Sequence, residues 1–336
     1  MPTLLLTDHE VRRFLPMSEC IDVMEGALQS VSNGTSTLPL RTIVRLDGSH
    51  NAFASMPAIH GVGDAASIGA KIITVFPGND ATPYDSHIGV VLLFDAVHGQ
   101  LLAVADASSI TAIRTAAVSG LATRLLSNPD SSELALLGAG VLAMPHLDAV
   151  SHVRPISRVR MWSRSGTRAE AFAARARETR DIEIVVCRSA REAVEGADVV
   201  CTITSARQPV LEGAWLTPGT HINAVGASLS SARELDTDAV RMARLYVDRR
   251  ESAMAEAGDF LIPRSEGAID ETHIIGELGD LLLESAVGRT RPDQITLFKS
   301  LGLAVEDVAA LRHIYDRATA AGAGTRIQFG GLREHD

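Results

Sequence analysis

The chain has 336 residues, with 31 Lys+Arg against 41 Asp+Glu, a formal charge of −10 and 46% hydrophobic residues. That is enough apolar material for two packed cores, whereas the acidic balance lacks the basic stripe of a general nucleic-acid binder and no run of about 18 uncharged apolar residues is present to span a membrane. The opening residues carry no basic region ahead of an apolar core, so no signal peptide and a cytoplasmic location are expected, and three scattered cysteines (Cys20, Cys187, Cys201) suit neither a disulfide framework nor a zinc ribbon.

In chain order, residues 38–46, 66–76 and 88–105 are alternating or apolar runs separated by Gly, Pro, Asn and Asp. Residues 88–94 and 101–104, joined by 95–100, read as a β-hairpin. Ser108 or Ser109 is the expected cap of a long helix through Leu126. Residues 133–138 form an apolar strand running into Gly138-Ala139-Gly140-Val141-Leu142-Ala143, then a helical stretch to Val153. A second strand is expected over 158–162, a helix over 168–178, a third strand over 182–186 and a short helix over 189–195. Strands at 198–203, 221–225 and 245–248 make six in all. Short apolar strands alternating with helices indicate a parallel sheet covered on both faces. With the glycine motif after the first of them, they match a doubly wound dinucleotide-binding arrangement. Residues 296–321 read as one amphipathic helix returning to the first domain, and 322–336 as a frayed tail. The fold class is α/β: a Rossmann-type doubly wound parallel sheet over 123–295, plus an α+β domain from 1–122 with 296–336.

Several residues carry chemistry. Gly138 permits a tight turn, Gly140 lets the backbone approach a pyrophosphate and Ala143 lets helix and strand pack closely, with Val141 and Leu142 at the anion-favouring helix N-terminus. The alternative is a strand–helix turn with no ligand. After the second strand the chain reads Trp162-Ser163-Arg164-Ser165-Gly166-Thr167-Arg168, without the acid that would bind ribose hydroxyls and repel a 2′-phosphate. Ser163, Arg164, Ser165 and Arg168 suit a phosphate monoester, so NADP(H) is favoured with NAD(H) possible; the alternative is two solvated surface arginines. Lys71 shares a strand face with Ile73 and Val75. A lone ammonium there needs a partner and, with a lowered pKa, exchanges a proton near neutrality, unless it snorkels from a strand edge. Arg41 and Arg45 share one strand face, and either can clamp a carboxylate. Arg114, on an otherwise apolar helix, calls for a phosphate or carboxylate partner. His87, His98, His146 and His221 are dispersed with no metal-ligand spacing, so no metal is expected. No Gly-x-Ser-x-Gly elbow supports a hydrolase. Glu277 and Asp280 read as a helix start, and Cys187 and Cys201 as small apolar core residues.

With these residues in place, the chain resembles the ornithine cyclodeaminase/mu-crystallin family over about residues 36–318. The motifs are Leu38-Pro39-Leu40-Arg41, Ala70-Lys71, ITAIRTAAVS at 110–119, LGAG at 137–140, HINAVG at 221–226 and FKSLGLAVED at 298–307. The resemblance implies a homodimer built through the N-terminal domain, which then serves substrate binding and dimerisation, with the C-terminal helix packing back on it. It implies that Arg41, Lys71 and Arg114 hold the substrate carboxylate beside the nicotinamide. It also implies that Ser86, His87 and the Ser163-Arg164-Ser165 loop contact a phosphorylated cofactor, in a set completed by Arg114, Thr115, Val225 and Ser228. Cyclodeaminases carry an Asp two residues beyond Gly226, where this chain has Ser228, and tend to carry an acid after the second strand. Both departures favour the reductase branch, which resembles ketimine reductases and Δ1-pyrroline-2-carboxylate reductases. The expected function is NAD(P)H-dependent reduction of a small cyclic ketimine carboxylate to the cyclic L-amino acid, with Lys71 supplying the proton directly or through water. The alternatives are an amino-acid dehydrogenase of the alanine dehydrogenase type, an ornithine cyclodeaminase, or a non-catalytic binder of nucleotide and a small acid. The expected partners are the imino- or amino-acid substrate and a second copy of the chain, with no nucleic acid and no membrane.

Overall fold

The computed structural model describes residues 2–331, apart from the side chains of Asp80 and Ala81. In chain order they form β1 (Thr3–Leu6), α1 (Asp8–Phe14), α2 (Met17–Ser32), β2 (Thr42–Arg45), β3 (Ala52–His60), β4 (Ser67–Val75), β5 (His87–Asp95), β6 (Leu101–Asp106) and α3 (Ala107–Leu126). Next come β7 (Glu133–Leu137), α4 (Ala143–Val153), β8 (Arg158–Trp162), α5 (Gly166–Thr179), β9 (Glu183–Val186), α6 (Ala190–Val194), β10 (Val199–Thr202) and β11 (His221–Ala224). The chain continues through α7 (Thr237–Met242), β12 (Arg244–Val247), α8 (Arg250–Glu256), α9 (Gly258–Ser265), β13 (Ile274–Glu277) and α10 (Leu278–Leu282). It ends with β14 (Thr296–Lys299), α11 (Ala304–Ala320) and β15 (Thr325–Ile327). Two compact units result: residues up to Arg114 with those from Leu303 on, and Thr115–Gly302.

The first unit is a seven-stranded sheet in the order β15-β1-β6-β5-β4-β3-β2, antiparallel except where β1 pairs with β6. The expected hairpin is the β5–β6 pair. On β4, Ser67, Gly69, Lys71 and Ile73 point inward, and on β3 the inward residues are the small Ala52, Ala54 and Ala58 with Met56. Small side chains let α11 lie close on β3, β4 and β5, with α2 beside it. A Cβ on Gly69 would come within 2.8 Å of Val308 Cγ2.

The second unit holds an eight-stranded, wholly parallel sheet in the order β13-β12-β14-β11-β10-β7-β8-β9. Alternate residues feed two apolar layers: Leu134, Leu136, Val199 and Cys201 on one face, Ala135, Leu137, Val200 and Ile222 on the other. Strands buried on both faces read as continuous apolar runs rather than alternations. The order reverses between β7 and β10, the place where doubly wound sheets open a crevice at their carboxyl ends.

Four expectations change. Residues 296–321 are not one helix: 296–299 form β14, inserted between β11 and β12, so the fifth and sixth anticipated strands are not neighbours, and with β13 at the edge the sheet has eight strands rather than six. The Asp248 carboxylate ends β14 by accepting the Leu301 and Gly302 N–H groups at 2.6 and 2.7 Å. The α3 cap is Asp106, whose Oδ2 accepts from Ser109 N at 2.8 Å and Ser109 Oγ at 2.5 Å, so Ser109 donates to the cap, while Ser108 Oγ donates to His87 O at 2.6 Å. The units divide at 114/115, inside α3, where 122/123 was expected, and at 302/303 rather than 295/296, because β14 belongs to the second sheet. Within the supposed frayed tail, 325–327 pair with β1; residues 332–336 lie outside the described residues. Among the described residues, no helix is long and apolar enough to cross a membrane.

Candidate active site

Lys71 lies on β4, flanked by β3 and β5, and is 2% exposed, so it does not snorkel from an edge. Its Nζ lies 2.8 Å from Asp307 Oδ2 and 3.4 Å from Thr111 Oγ1. The other Asp307 oxygen accepts from Arg114 Nε at 3.0 Å, and Arg114 Nη1 donates to Glu306 Oε2 at 2.6 Å. Thr111 and Arg114 are three residues apart on α3 and therefore share a face. Glu306 and Asp307 begin α11, where free backbone N–H groups favour carboxylates. Three elements thus bring two cations and two carboxylates together in a buried cluster.

The cluster tunes its lysine. Burial pulls the Lys71 ammonium down, the Asp307 carboxylate pulls it back up, and the charges of Arg114 and Arg41 lower it again, leaving it at about 8. Such a group holds a proton at neutrality and releases it readily. Arg41, immediately before β2, is half-buried, whereas Arg45 is exposed at the end of that strand. Arg114 finds the carboxylate partners its position called for within the chain itself, in Glu306 and Asp307. Neither acid was singled out from the sequence; the usable signal was a pair of consecutive acids inside Ala304-Val305-Glu306-Asp307-Val308-Ala309-Ala310. A second signal also went unread. Lys71 and Lys299 are the only lysines in the sequence, so every other basic residue is arginine.

In the second unit, Gly138 has φ +119, and a Cβ there would lie 2.6 Å from Ile203 O in the segment after β10. No other residue type fits without shifting backbone. A Cβ on Gly140 would meet no atom of the described residues within 4 Å. Val141 is 70% exposed, Leu142 half-buried, and Ala143 starts α4 in full burial. After β8, Ser165 caps α5 by accepting from Arg168 N at 3.4 Å, while Arg164 and Arg168 are exposed. At the end of β11, Val225 is buried and Ser228 exposed.

A buried network braces these strand ends. Glu234 accepts from Thr202 Oγ1 (2.9 Å), Thr204 N (2.8 Å), Thr204 Oγ1 (2.6 Å) and Gly226 N (2.6 Å). Burial and the neighbouring Asp259 charge push its carboxyl up. Lys299 Nζ donates to Ala227 O at 2.6 Å and Ala224 O at 3.2 Å, and lies 3.0 Å from Asp259 Oδ2. Asp259 Oδ1 in turn accepts from Glu234 N and Leu235 N. None of these three was anticipated.

The remaining residues fall as follows. Ser86 and His87 are exposed at the start of β5, with Ser86 Oγ 3.0 Å from His87 Nδ1. Thr115 is buried on α3. His146 and His221 are fully buried, depressed by that burial to about 4 and about 3, and held by Ser119 and Thr296. Glu277 and Asp280 form the capping box of α10. Cys187 and Cys201 are buried thiols.

The profile of the Ornithine cyclodeaminase/mu-crystallin family matches residues 1–322. Ketimine reductase mu-crystallin of Mus musculus is 42% identical over 315 residues, covering 93% of this chain and 96% of that protein. The structure of Thermococcus litoralis Δ1-pyrroline-2-carboxylate reductase in complex with NADH and L-proline superposes with a TM-score of 0.94 at 38% identity, covering 97% of this chain and 100% of that one. An archaeal alanine dehydrogenase dimer with bound NAD gives 0.92 at 31% identity, covering 98% and 100%. With the glycine turn, the parallel sheet and the buried lysine cluster in place, the chain belongs to the ornithine cyclodeaminase/mu-crystallin family.

Proposed function

We infer that this chain catalyses the NAD(P)H-dependent reduction of a small cyclic ketimine carboxylate, such as Δ1-pyrroline-2-carboxylate or its six-membered homologue, to the cyclic L-amino acid. The observation that carries this reading is Lys71: a buried ammonium, near neutrality in acidity, with one N–H donor unspent among the described residues. Reducing a C=N bond places a hydride on carbon and a proton on nitrogen. Lys71 is the group suited to give that proton, directly or through one water. Arg41 is the primary clamp for the substrate carboxylate. Arg114 has committed Nε and Nη1 to acids and offers its Nη2 edge. In a buried cluster each of these charges acts at lower effective dielectric than in water.

The strand ends of the second unit suit a dinucleotide. Gly138 and Gly140 leave room for a pyrophosphate at the start of α4, with Val141 and Leu142 lending backbone. Ser163, Arg164, Ser165 and Arg168 suit a 2′-phosphate, so NADP(H) is preferred and NAD(H) accepted; Ser86, His87, Arg114, Thr115, Val225 and Ser228 complete the set. Bound there, the reduced nicotinamide supplies the hydride. The first unit is read as the substrate and dimerisation domain and the second as the nucleotide domain, in a homodimer. The test follows NADPH and NADH oxidation with each imine and with pyruvate plus ammonium, alongside ammonia release from ornithine with NAD. Oxidation with an imine at a kcat/KM well above that with pyruvate is expected. Turnover of pyruvate or ornithine but neither imine overturns the reading.

A further inference from the structure

Asp307 is 0% exposed and serves two cations at once, Oδ2 toward Lys71 Nζ at 2.8 Å and Oδ1 toward Arg114 Nε at 3.0 Å. A buried carboxylate is costly unless paired and hydrogen-bonded. Here two cations and the N-terminal end of α11 face it. Glu306, also fully buried, gives Arg114 a carboxylate of its own at 2.6 Å. Asp307 is therefore not drawn wholly to the guanidinium, and one oxygen remains for the lysine. We propose that Asp307 is the positioning residue of the reaction, its Oδ2 holding one Lys71 Nζ proton so that the ammonium stays charged and oriented with another proton for the imine nitrogen.

This rests on the reductase reading for what the proton does, but not for how Asp307 holds it. The charged and titratable groups around Lys71 are Asp307 and Glu306 on α11, Arg114 on α3, Arg41 before β2, His87 on β5 and, beside Arg114 and Glu306, Cys20 on α2. Of these, Asp307 raises the lysine's proton affinity, whereas Arg114 and Arg41 lower it. Removing the Asp307 charge therefore leaves the two arginines unopposed.

Because Lys71 and Lys299 are the only lysines in the sequence, NMR of the full chain carrying isotope-labelled lysine yields two side-chain signals, assigned with Lys71→Met. In the wild type the Lys71 signal titrates near 8. In Asp307→Asn its midpoint falls by about one pH unit or more, a tenfold loss of proton affinity, and the alkaline limb of kcat/KM for Δ1-pyrroline-2-carboxylate falls with it. Asp307→Glu keeps the carboxylate on a longer stem. It holds the midpoint within about half a unit but lowers kcat several-fold with KM little changed, because the ammonium is displaced. A residue that merely supports the fold would lower activity at every pH without moving either midpoint. An unmoved Lys71 signal in Asp307→Asn, or wild-type kcat in Asp307→Glu, overturns the proposal. A shifted signal in a chain that reduces no imine leaves the ion-pair assignment standing and sinks only the reductase reading.

Discussion

The two lysines of this chain are comparably buried and differently satisfied. Both are buried, and each faces an aspartate, Lys71 at 2.8 Å from Asp307 and Lys299 at 3.0 Å from Asp259. Lys299 spends its remaining donors on two backbone carbonyls, Ala224 and Ala227, which close the turn after β11. Among the described residues Lys71 has only a long contact to Thr111 beyond its aspartate, and the charges of two arginines oppose its own. A saturated ammonium holds a loop in place; an unsaturated one has a proton to give. Burial and an ion pair are common to both sites, so neither feature marks a catalytic lysine. What separates them is the count of satisfied donors.

The largest effect that can break this contrast is on chemistry. Lys71→Met is expected to lower kcat by about 10²–10⁴-fold, the range for loss of a positioned proton donor, while thermal stability changes little because Asp307 keeps Arg114. A pronounced fall in Tm with kcat intact would make Lys71 a second structural lysine. Lys299→Met is expected to act in the opposite sense. It leaves Asp259 and Glu234 as neighbouring buried carboxyls without their cation, costing about 3–5 kcal/mol of stability, read by denaturant unfolding. Next comes pH. The donor must be protonated, and Lys71 loses its proton as pH rises through about 8. Reductive kcat/KM is therefore expected to be flat below that value and to fall about tenfold per unit above it; stabilised Lys299 variants should keep the same limb. The smallest effect concerns a cation outside both pockets. Arg164→Ala is expected to weaken NADPH binding about tenfold, the worth of one charge-assisted hydrogen bond, and to leave NADH nearly unchanged. Equal loss for both nucleotides would place Arg164 away from the 2′-phosphate.

The second unit was legible because its strands are short apolar runs buried on both faces, and Gly138 sits where φ and the Ile203 carbonyl leave no alternative. The first unit was harder to read. β3 escaped because its inward residues are mostly alanines while Phe53 and Ile59 face outward, and Pro57 interrupts the pattern. In the second unit β14 escaped, because Thr296-Leu297-Phe298-Lys299 runs on into Ala304-Val305 with a spacing that also fits a helix face. In the site, Lys71, Arg41 and Arg114 stood out as cations in apolar surroundings, a local signal. Their counter-charges did not, because Glu306 and Asp307 lie 192 and 193 residues from Arg114 and only the fold pairs them. The bracing set of Glu234, Asp259 and Lys299 is likewise non-local, and no short motif announces it.

The chain path gives this arrangement a temporal side. The second unit is one uninterrupted stretch, Thr115–Gly302, whereas the first is assembled from two pieces, the later beginning at Leu303. During synthesis the second unit can complete while the first still lacks α11. Until that helix emerges, β4 carries a lysine without the acid it pairs with among the described residues, and Arg114 likewise waits for Glu306 and Asp307. The last long helix thus acts as a keystone for charge as well as for packing.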